Sequence, residues 1–468
     1  MLPLCREIRL SAPLHRLFAA FLNDPYPMFL DSSLPHPRLG RYSYLVADPF
    51  LVVRSKNGRI RVTGPGEDYR LEGDPFEQLG RLLSRFPARS MPGLPPFQGG
   101  AVGYFAYDLA HHVERLPRTT TDDLEIPDMA VGLYDWVIAQ DHAAGRSWLI
   151  ARPLPDGDYR RAQRRMDEVE RRLLEGGGTP LPESDRQLPP PRPSSFTREG
   201  YIDAIRRAKE YIAAGDIYQV CLSQRFEVPL SLSPWRLYSR LRDVSPVPYS
   251  AYLELGDLAV ASASPELFLR KEGQRVETRP IKGTRPRGRT PEEDHLLAEE
   301  LRSSEKDRAE NVMIVDLLRN DLGRVCRAGT VRWPELFTVE SYSTVHHLVS
   351  SVEGVLEDRY DALSLLKSCF PGGSVTGCPK IRAMEIIDEL EPTQRGAYCG
   401  SIGFVGFNGN MDTSIVIRTV VVKGGTAYFQ VGGAIVADSD PESEYQETLD
   451  KARAIVLALK GSGEWKAV

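Results

Sequence analysis

Two pairs of acidic residues stand three positions apart in two separate stretches that read as helices. Asp307 and Glu310 form the first pair, and Glu444 and Glu447 form the second. Residues three apart share one face of a helix. Two helices that each offer two carboxylates could hold one hard cation, and Mg²⁺ commonly takes one or two carboxylates while keeping several waters. The alternative is that both pairs are solvated helix faces.

Lys282 and Glu266 are candidates for covalent and acid–base chemistry. Lys282 stands between Ile281 and Gly283 in a segment rich in arginine. Desolvation and neighbouring cations both favour the neutral, nucleophilic form of an amine. Glu266 is flanked by apolar residues, so partial burial would raise its pKa toward the range that suits a general acid or base. The alternatives are an ordinary lysine of a surface loop and a glutamate at a strand edge.

A glycine-rich turn at residues 370–380, FPGGSVTGCPK, stands just before a predicted helix. It is not a P-loop, because Gly377 is followed by Cys378 and Pro379 rather than by lysine and serine or threonine. An anion site is plausible, since backbone N–H groups at a helix start attract a carboxylate as readily as a phosphate, and proline suits a first helical turn. The alternative is a purely structural turn.

The secondary-structure elements that must position these residues include many strand-like runs separated by short, hairpin-like connections. Few of them form βαβ units. Strand-like runs cover 42–46, 51–54, 59–62, 131–139, 219–228, 249–255, 259–262, 266–270 and 331–339. Helical patterns cover 75–86, 159–174, 197–214, 291–322, 361–369, 380–389 and 442–459. This order predicts an α+β protein with large antiparallel sheets.

One stretch interrupts this pattern. Residues 176–195 are glycine-rich and then proline-rich, with almost no apolar side chains to bury. Such a composition is typical of a semi-rigid linker or a surface excursion. We therefore predict an N-terminal region at 1–175, a linker at 176–195 and a catalytic region at 196–468.

Composition excludes several classes of function. The chain has 468 residues, 41% of them hydrophobic, and a net charge of −5. Its basic residues are spread along the chain, which favours neither a nucleic-acid footprint nor a polybasic membrane patch. Its six cysteines form no C-x-x-C motif and fit a reducing compartment. With no signal peptide and no stretch of spanning length, we expect a cytoplasmic protein without nucleic-acid or membrane partners.

Long stretches of the chain match a known family in one order. They are residues 214–220, 264–266, 280–285, 307–324, 346–350, 370–386, 396–403, 411–419 and 432–451, with 97–108 upstream. In these the sequence resembles the chorismate-utilising enzymes. The resemblance covers nearly the whole chain and is strongest from about 197 to 459. It implies a large antiparallel β-sandwich with flanking helices, in which both regions pack into one body.

The resemblance also implies roles for individual residues. Glu310 and Glu447 correspond to the Mg²⁺ ligands, with Asp307 and Glu444 supporting them through water, and the metal would neutralise the ring carboxylate of chorismate. The other substrate contacts are Lys451 and the amides around Thr376 and Gly377 at that carboxylate, and Tyr398, Arg418 and Gly433 at the enolpyruvyl carboxylate. His347 corresponds to the active-site histidine, and Glu266 to the general acid/base at the C4 hydroxyl.

Two positions separate the branches of this family. Lysine at position 282 is typical of the branch that aminates chorismate at C4, where it is thought to attack C2, whereas the anthranilate-forming branch usually has alanine. Gln219 stands where the isochorismate- and salicylate-forming branches carry a lysine that activates water. We therefore expect amination at C4; the alternatives are anthranilate formation and, in another class, a non-catalytic regulator that binds chorismate or tryptophan. Cys221 and Ala434 are small departures from the family pattern.

The nitrogen donor must come from elsewhere. No cysteine stands in a glutaminase context with plausible histidine and glutamate partners. We therefore expect ammonia from a separate glutamine amidotransferase subunit.

The run at 29–33, FLDSS, is expected to border a tryptophan pocket, as it does in relatives.

Overall fold

The computed structural model describes residues 2–34, 39–175, 189–342 and 345–460. Most of the predicted linker, at 176–188, lies outside the described residues, and the predicted region boundaries stay predictions.

Twenty-four strands and ten α-helices are present in the described residues. The first twelve strands are β1 Leu4–Ile8, β2 Met28–Asp31, β3 Tyr42–Val46, β4 Leu51–Lys56, β5 Arg59–Gly64, β6 Glu67–Glu72, β7 Gly100–Phe105, β8 Met129–Tyr134, β9 Trp136–Asp141, β10 Arg146–Ala151, β11 Arg192–Pro193 and β12 Gln219–Pro229. The others are β13 Tyr249–Glu254, β14 Leu258–Ser264, β15 Leu267–Glu272, β16 Arg275–Thr278, β17 Ile281–Pro286, β18 Arg332–Ser341, β19 Val345–Val355, β20 Gly377–Cys378, β21 Ser401–Gly406, β22 Met411–Ile415, β23 Thr419–Lys423 and β24 Thr426–Ile435.

The helices flank these strands. They are α1 Leu14–Leu17, α2 Pro75–Ser84, α3 Tyr159–Leu174, α4 Arg198–Ala214, α5 Pro234–Val244, α6 Pro291–Ser303, α7 Glu305–Gly323, α8 Ala362–Cys369, α9 Lys380–Leu390 and α10 Pro441–Lys460. Short 3₁₀ turns occur at Phe18–Phe21, Tyr107–His112 and Gly373–Val375. No helix in the described ranges is long and apolar enough to cross a membrane.

The strands form two antiparallel sheets of twelve strands each within the described chain. The first sheet has the order β1-β10-β9-β3-β2-β13-β14-β23-β24-β12-β11, and β20 also pairs with β12. The second has the order β17-β19-β16-β15-β22-β21-β7-β8-β4-β5-β6, and β18 also pairs with β19. Strands from before residue 175 pair with later strands in both sheets, β2 with β13 and β7 with β21. The two halves of the chain therefore form one body.

The core has three layers. A central cluster joins the facing sides of the two sheets and includes Met28 and Val260 from the first sheet and Tyr104 and Phe404 from the second. A second cluster lies between the outer face of the first sheet and helices α3, α4, α5, α9 and α10. A third lies between the outer face of the second sheet and α2, α7 and α8. This sandwich with flanking helices confirms the α+β prediction.

Two predicted elements are wrong as single units. The predicted strand 131–139 is two strands separated at the buried Asp135, and the predicted helix 291–322 is two helices separated at Ser304. Ser304 has extended backbone angles, and its hydroxyl accepts a hydrogen bond from the Asp307 amide at 3.3 Å, as an N-cap does. The break places Asp307 in the first turn of a new helix, where the helix dipole stabilises a negative charge.

Candidate active site

The predicted site residues lie on strands of both sheets and on two helices. In the first sheet β12 pairs with β24, which carries Gly433, and with β20, which begins at Gly377. In the second sheet β17 pairs with β19, and this register sets Thr284 opposite His347. Helix α7 contacts β17 and β19, and α10 contacts β24. Residues from distant parts of the sequence are thereby brought to one region.

Helix α10 directs Glu444, Glu447 and Lys451 toward Gly433. The Lys451 ammonium pairs with Glu447 Oε1 at 2.7 Å and donates to a carbonyl oxygen of β24 at 2.9 Å. Glu444 Oε1 accepts a hydrogen bond from the Ser439 hydroxyl at 2.6 Å. Its buried Oε2 has no hydrogen-bond partner among the described residues. A Cβ at position 433 would lie 3.0 Å from that oxygen, so glycine keeps the space beside it open.

Helix α7 contributes the other acid pair. Asp307 is ion-paired with Arg285 at 3.1 Å. Glu310 is half-buried, and burial raises its pKa; the Asp307 carboxylate adds to this effect, while the ammonium groups of Lys282 and Lys306 oppose it. The negative charge of Glu310 is therefore offset mainly by the two nearby lysines.

The two acid pairs act on each other electrostatically. The Glu447 carboxylate helps to raise the pKa of Glu310. It also helps to raise the pKa of Glu444, for which burial is the larger cause. Burial also acts on Glu447, but Lys451 holds the pKa of Glu447 below its ordinary value. Crowded carboxylates with an unpartnered buried oxygen are hard donors of the kind that Mg²⁺ takes, so the donor set fits this ion. In the part of the chain that the structure describes, no three acidic, histidine or cysteine side chains converge on one point.

Lys282 and Glu266 meet at Ser374. Lys282 Nζ donates to the Ser374 carbonyl oxygen at 3.3 Å, and the Ser374 side chain hydrogen-bonds to the Glu266 carboxyl. Glu266 is only 5% exposed. Burial raises the pKa of Glu266 to about 7, and the Ser374 hydrogen bond and the Lys282 ammonium keep it from rising further. The apolar neighbours of Glu266 in the sequence predicted this direction correctly.

The arginines near Lys282 in sequence do not surround its amine. Arg279, Arg285 and Arg287 each form ion pairs with carboxylates of other elements. The groups that act with Lys282 electrostatically are site carboxylates, among them Glu266. Their acidic partners therefore hold these arginines away from the Lys282 amine.

His347 is 3% exposed and contacts the segment that follows Lys282. Its Nδ1 lies 2.8 Å from the Thr284 hydroxyl oxygen. Burial, with a smaller contribution from the Arg418 guanidinium, lowers the pKa of His347 to about 3, although a hydrogen bond to the Gly283 backbone opposes this. The ring is therefore neutral at physiological pH and holds the Lys282 segment rather than adding charge to the site.

Arg418 provides a half-buried positive charge. It is a non-glycine residue in the left-handed region, with φ of +51°, between β22 and β23. Burial lowers the pKa of its guanidinium, and no described residue forms an ion pair with it. A partly desolvated cation without a counter-ion favours an anionic ligand. Tyr398 lies beside Arg395, 5.9 Å from ring centre to guanidinium, and Arg395 is balanced by Glu391 at 2.7 Å.

The glycine-rich turn is held from several sides. The fully buried Thr376 donates its hydroxyl to the Gly372 carbonyl at 3.1 Å. At Gly377, with φ of +153°, a Cβ would collide with the Gln219 carbonyl oxygen. Lys380 Nζ donates to the Pro371 carbonyl of the turn at 3.0 Å, to the carbonyl of the last residue of α8 at 3.1 Å and to a carboxylate of α7 at 2.6 Å. The Thr376 side chain is therefore structural, and anion binding by the backbone amides stays a prediction.

Gln219 is fully buried, and its Oε1 has no hydrogen-bond partner among the described residues. Its amide nitrogen lies 3.8 Å from Cys221 Sγ.

Two residues that sequence reasoning missed adjoin the site. Ser374 lies inside the glycine-rich turn, and Lys306 precedes Glu310 by four positions, which is one turn of a helix. The positions of both residues could be read from the sequence, but a serine in the turn and a lysine on the helix did not by themselves suggest a role.

Comparison with known proteins defines the class of this protein. Residues 37–457 match the model of the chorismate binding enzyme family, so the chain belongs to that family. It is 44% identical to the Bacillus subtilis aminodeoxychorismate synthase component 1, over 92% of each chain. It is 45% identical to the Thermus thermophilus anthranilate synthase component 1, over 96% of this chain and 98% of the relative. Anthranilate synthase component I from Streptococcus pneumoniae superposes with a TM-score of 0.80 at 32% identity, covering 90% of this chain and 93% of that one.

Proposed function

We propose that this enzyme aminates chorismate at C4 with ammonia to give 4-amino-4-deoxychorismate, on the route to p-aminobenzoate and folate. The observation that carries the proposal is the placement of the Lys282 amine and the Glu266 carboxyl on one residue, Ser374. A nucleophile and a buried acid of raised pKa in one site are what covalent substitution at a hydroxyl-bearing carbon requires. The Bacillus subtilis relative supports this choice by its name.

In the first proposed step the Lys282 amine forms a bond to C2 of chorismate. The two ring double bonds shift, the C4–O bond breaks, and the hydroxyl takes a proton from Glu266 and leaves as water. In the second step ammonia forms a bond to C4, the double bonds shift back, and the bond between C2 and Lys282 breaks. The Glu266 carboxylate then accepts a proton from the new ammonium group, which restores the enzyme.

The substrate carries two carboxylates, and the site offers cationic partners for both. Arg418 would pair with the enolpyruvyl carboxylate, since it has no protein counter-ion in the described chain. Lys451, which already lies against Glu447, would face the ring carboxylate. Glu310 and Glu447, supported by Asp307 and Glu444, would hold Mg²⁺, which neutralises the ring carboxylate when bound.

We expect Glu310→Gln to weaken Mg²⁺ binding by about tenfold or more, because it removes one of two direct carboxylate ligands. Titration calorimetry of the substrate-free protein with Mg²⁺ measures this without reference to turnover. Glu305→Gln is the matched control: it removes an exposed carboxylate from the first turn of the same helix. Equal Mg²⁺ affinity in the wild type and the Glu310 variant would contradict the assignment.

Ammonia is proposed to come from a separate glutamine amidotransferase subunit. The relatives that match over nearly their whole length are named as component 1 of their enzymes. Gln219 also supports ammonia over water as the nucleophile, because an uncharged amide cannot act as a base that activates water. The pure chain is then expected to use ammonium salts and not glutamine. Glutamine-dependent turnover by the chain alone would overturn the proposal for a separate subunit.

Product analysis tests the proposed function directly. The pure protein is incubated with chorismate, Mg²⁺ and ammonium at mildly alkaline pH, and the product is identified by mass and chromatography. The expected product is 4-amino-4-deoxychorismate. Anthranilate with pyruvate is the competing outcome, favoured by the Thermus thermophilus relative at 45% identity, and would overturn the proposed branch while leaving the family unchanged.

The raised pKa of Glu266 predicts the pH dependence of the reaction. Glu266 must be protonated to release the hydroxyl, so kcat/KM at constant free ammonia is expected to fall above about pH 7. Because its folded pKa lies above its ordinary value of 4.5, the stability it confers is lost as pH rises from about 4.5 through about 7. Glu266→Gln should therefore unfold at a higher temperature than the wild type at pH 8. Equal melting temperatures at pH 8 would contradict the burial of a charged carboxylate.

The run predicted to border a tryptophan pocket lines a cavity separate from the candidate active site. A cavity of about 540 Å³ lies between β2 and β13 of the first sheet and β15, β21 and β22 of the second; Leu30, Asp31 and Ser32 from the predicted run line it. Glu272 and Asp412 also line it and could receive an α-amino group. We propose that it binds tryptophan, and calorimetry with tryptophan against phenylalanine tests this.

The six free cysteines support a cytoplasmic location for the enzyme.

A further inference from the structure

We infer that Ser374 is a positioning residue, which holds the nucleophile Lys282 and the acid Glu266 in fixed positions relative to each other. The inference rests on the proposed function. It assigns a role to a residue that touches neither a metal ligand nor a substrate carboxylate in that scheme.

Ser374 serves the two groups through different atoms. Its backbone carbonyl accepts a hydrogen bond from Lys282 Nζ at 3.3 Å, and its side chain hydrogen-bonds to the Glu266 carboxyl. The same carbonyl also lies 3.4 Å from the Cys221 thiol. Only 8% of Ser374 is exposed, so water cannot readily replace these contacts. Ser374 therefore joins the segment that follows β14, the start of β17 and the glycine-rich turn.

The turn that carries Ser374 cannot easily move. Gly373 packs so closely on α7 that a Cβ there would lie 2.8 Å from a methyl group of Leu317. Gly372 is equally close to Ile415 of β22, where a Cβ would lie 2.5 Å from a methyl group. Lys380 holds the turn to α7 from the other side. A rigid turn is what a positioning role requires, because a shift of about 1 Å at a reacting group can cost on the order of 100-fold in rate.

The two contacts have different chemical consequences. The carbonyl takes one N–H of Lys282 and so orients the amine. The hydroxyl stabilises the ionised form of Glu266, and without it the carboxyl would hold its proton to higher pH. The hydroxyl thus makes Glu266 a better proton donor when the C4–O bond breaks.

Ser374→Ala tests the inference, since it removes the hydroxyl and keeps the carbonyl. The alkaline limb of the kcat/KM profile, measured at constant free ammonia, is expected to move up by about one pH unit. The rate at pH 7 is expected to fall by roughly tenfold or more. Ser374→Thr, which restores a hydroxyl, should return the limb toward its wild-type position. Should the alanine variant not fold, Ser374→Cys, with its weak S–H donor, gives the same readout.

Ser264→Ala is the matched control. Ser264 is fully buried, and its hydroxyl accepts a hydrogen bond from the Glu266 backbone amide at 3.3 Å but makes none with the Glu266 carboxyl among the described contacts. This variant should lower the melting temperature and leave the limb in place. The inference would be overturned if the alkaline limb of the kcat/KM profile stayed in place in Ser374→Ala. It would also be overturned if Ser264→Ala moved that limb by the same amount. Anthranilate as the wild-type product would refute the proposed function alone, because the hydroxyl contact to Glu266 would govern its protonation in either reaction.

Discussion

Lys282→Ala is expected to reduce formation of 4-amino-4-deoxychorismate by on the order of 10³-fold or more, with chorismate still bound. The variant loses the atom that is proposed to form the bond to C2, and no other described lysine donates to Ser374. Binding should persist because the carboxylate partners Arg418 and Lys451 remain. Turnover is measured by product mass, and chorismate affinity by calorimetry.

Lys306→Ala is the control for that experiment. Lys306 is an exposed lysine of α7 that also acts on the site acids, but it is not placed at the ring. Its removal should change turnover by only a few-fold, since exposed charges contribute little. Substantial activity in the Lys282 variant, or an equal loss in both variants, would show that the lysine acts only as a positive charge.

Arg418→Met is expected to lower kcat/KM by about 10²-fold or more, since removing one partner of a buried charge pair costs about 2–5 kcal/mol. The same change should keep or raise the melting temperature. Burial lowers the pKa of Arg418, so the fold disfavours its charge, and methionine retains much of its volume. Activity and stability are thus expected to move in opposite directions, as measured by steady-state kinetics and thermal unfolding.

Arg395→Met separates this behaviour from that of an ordinary buried arginine. The Arg395 guanidinium is fully compensated by Glu391, with hydrogen bonds of 2.7 and 2.9 Å. Removing it leaves a buried carboxylate without its partner and should destabilise the protein by about 3–5 kcal/mol. Similar losses of stability in the Arg395 and Arg418 variants would mean that Arg418 has a structural counter-ion and is not held open for a ligand.

Much of the fold follows from local signals in the sequence. Helix α4 begins after Thr197, whose hydroxyl caps it, and ends at Gly215, which has φ of +82°. Helix α3 and strand β3 occupy the predicted residues without change. Such elements are readable because caps and periodicity act within a few residues. The break at Ser304 was missed, since one capping residue inside a long helical pattern is a weak signal against the periodicity on either side.

The acidic pairs show how far such local reasoning extends toward the site. Spacing alone determined that Asp307 and Glu310 share a helix face, as do Glu444 and Glu447. It could not place the two faces near each other, because that depends on how α7 packs on one sheet and α10 on the other. The charge balance of each carboxylate was likewise decided by partners from other elements, such as Arg285 for Asp307.

The sequence by itself determined the types of candidate catalytic group, the acid spacing, the glycine-rich turn and the antiparallel α+β class. Tertiary structure alone decided that Lys282 reaches Ser374, 92 residues away, that the nearby arginines turn to other acids, and that Arg418 is half-buried without a counter-ion in the described chain. The physical reason is that hydrogen bonding, helix periodicity and capping act between near neighbours in the chain. Burial and ion pairing, by contrast, depend on the order and register of strands that the chain brings together from far apart.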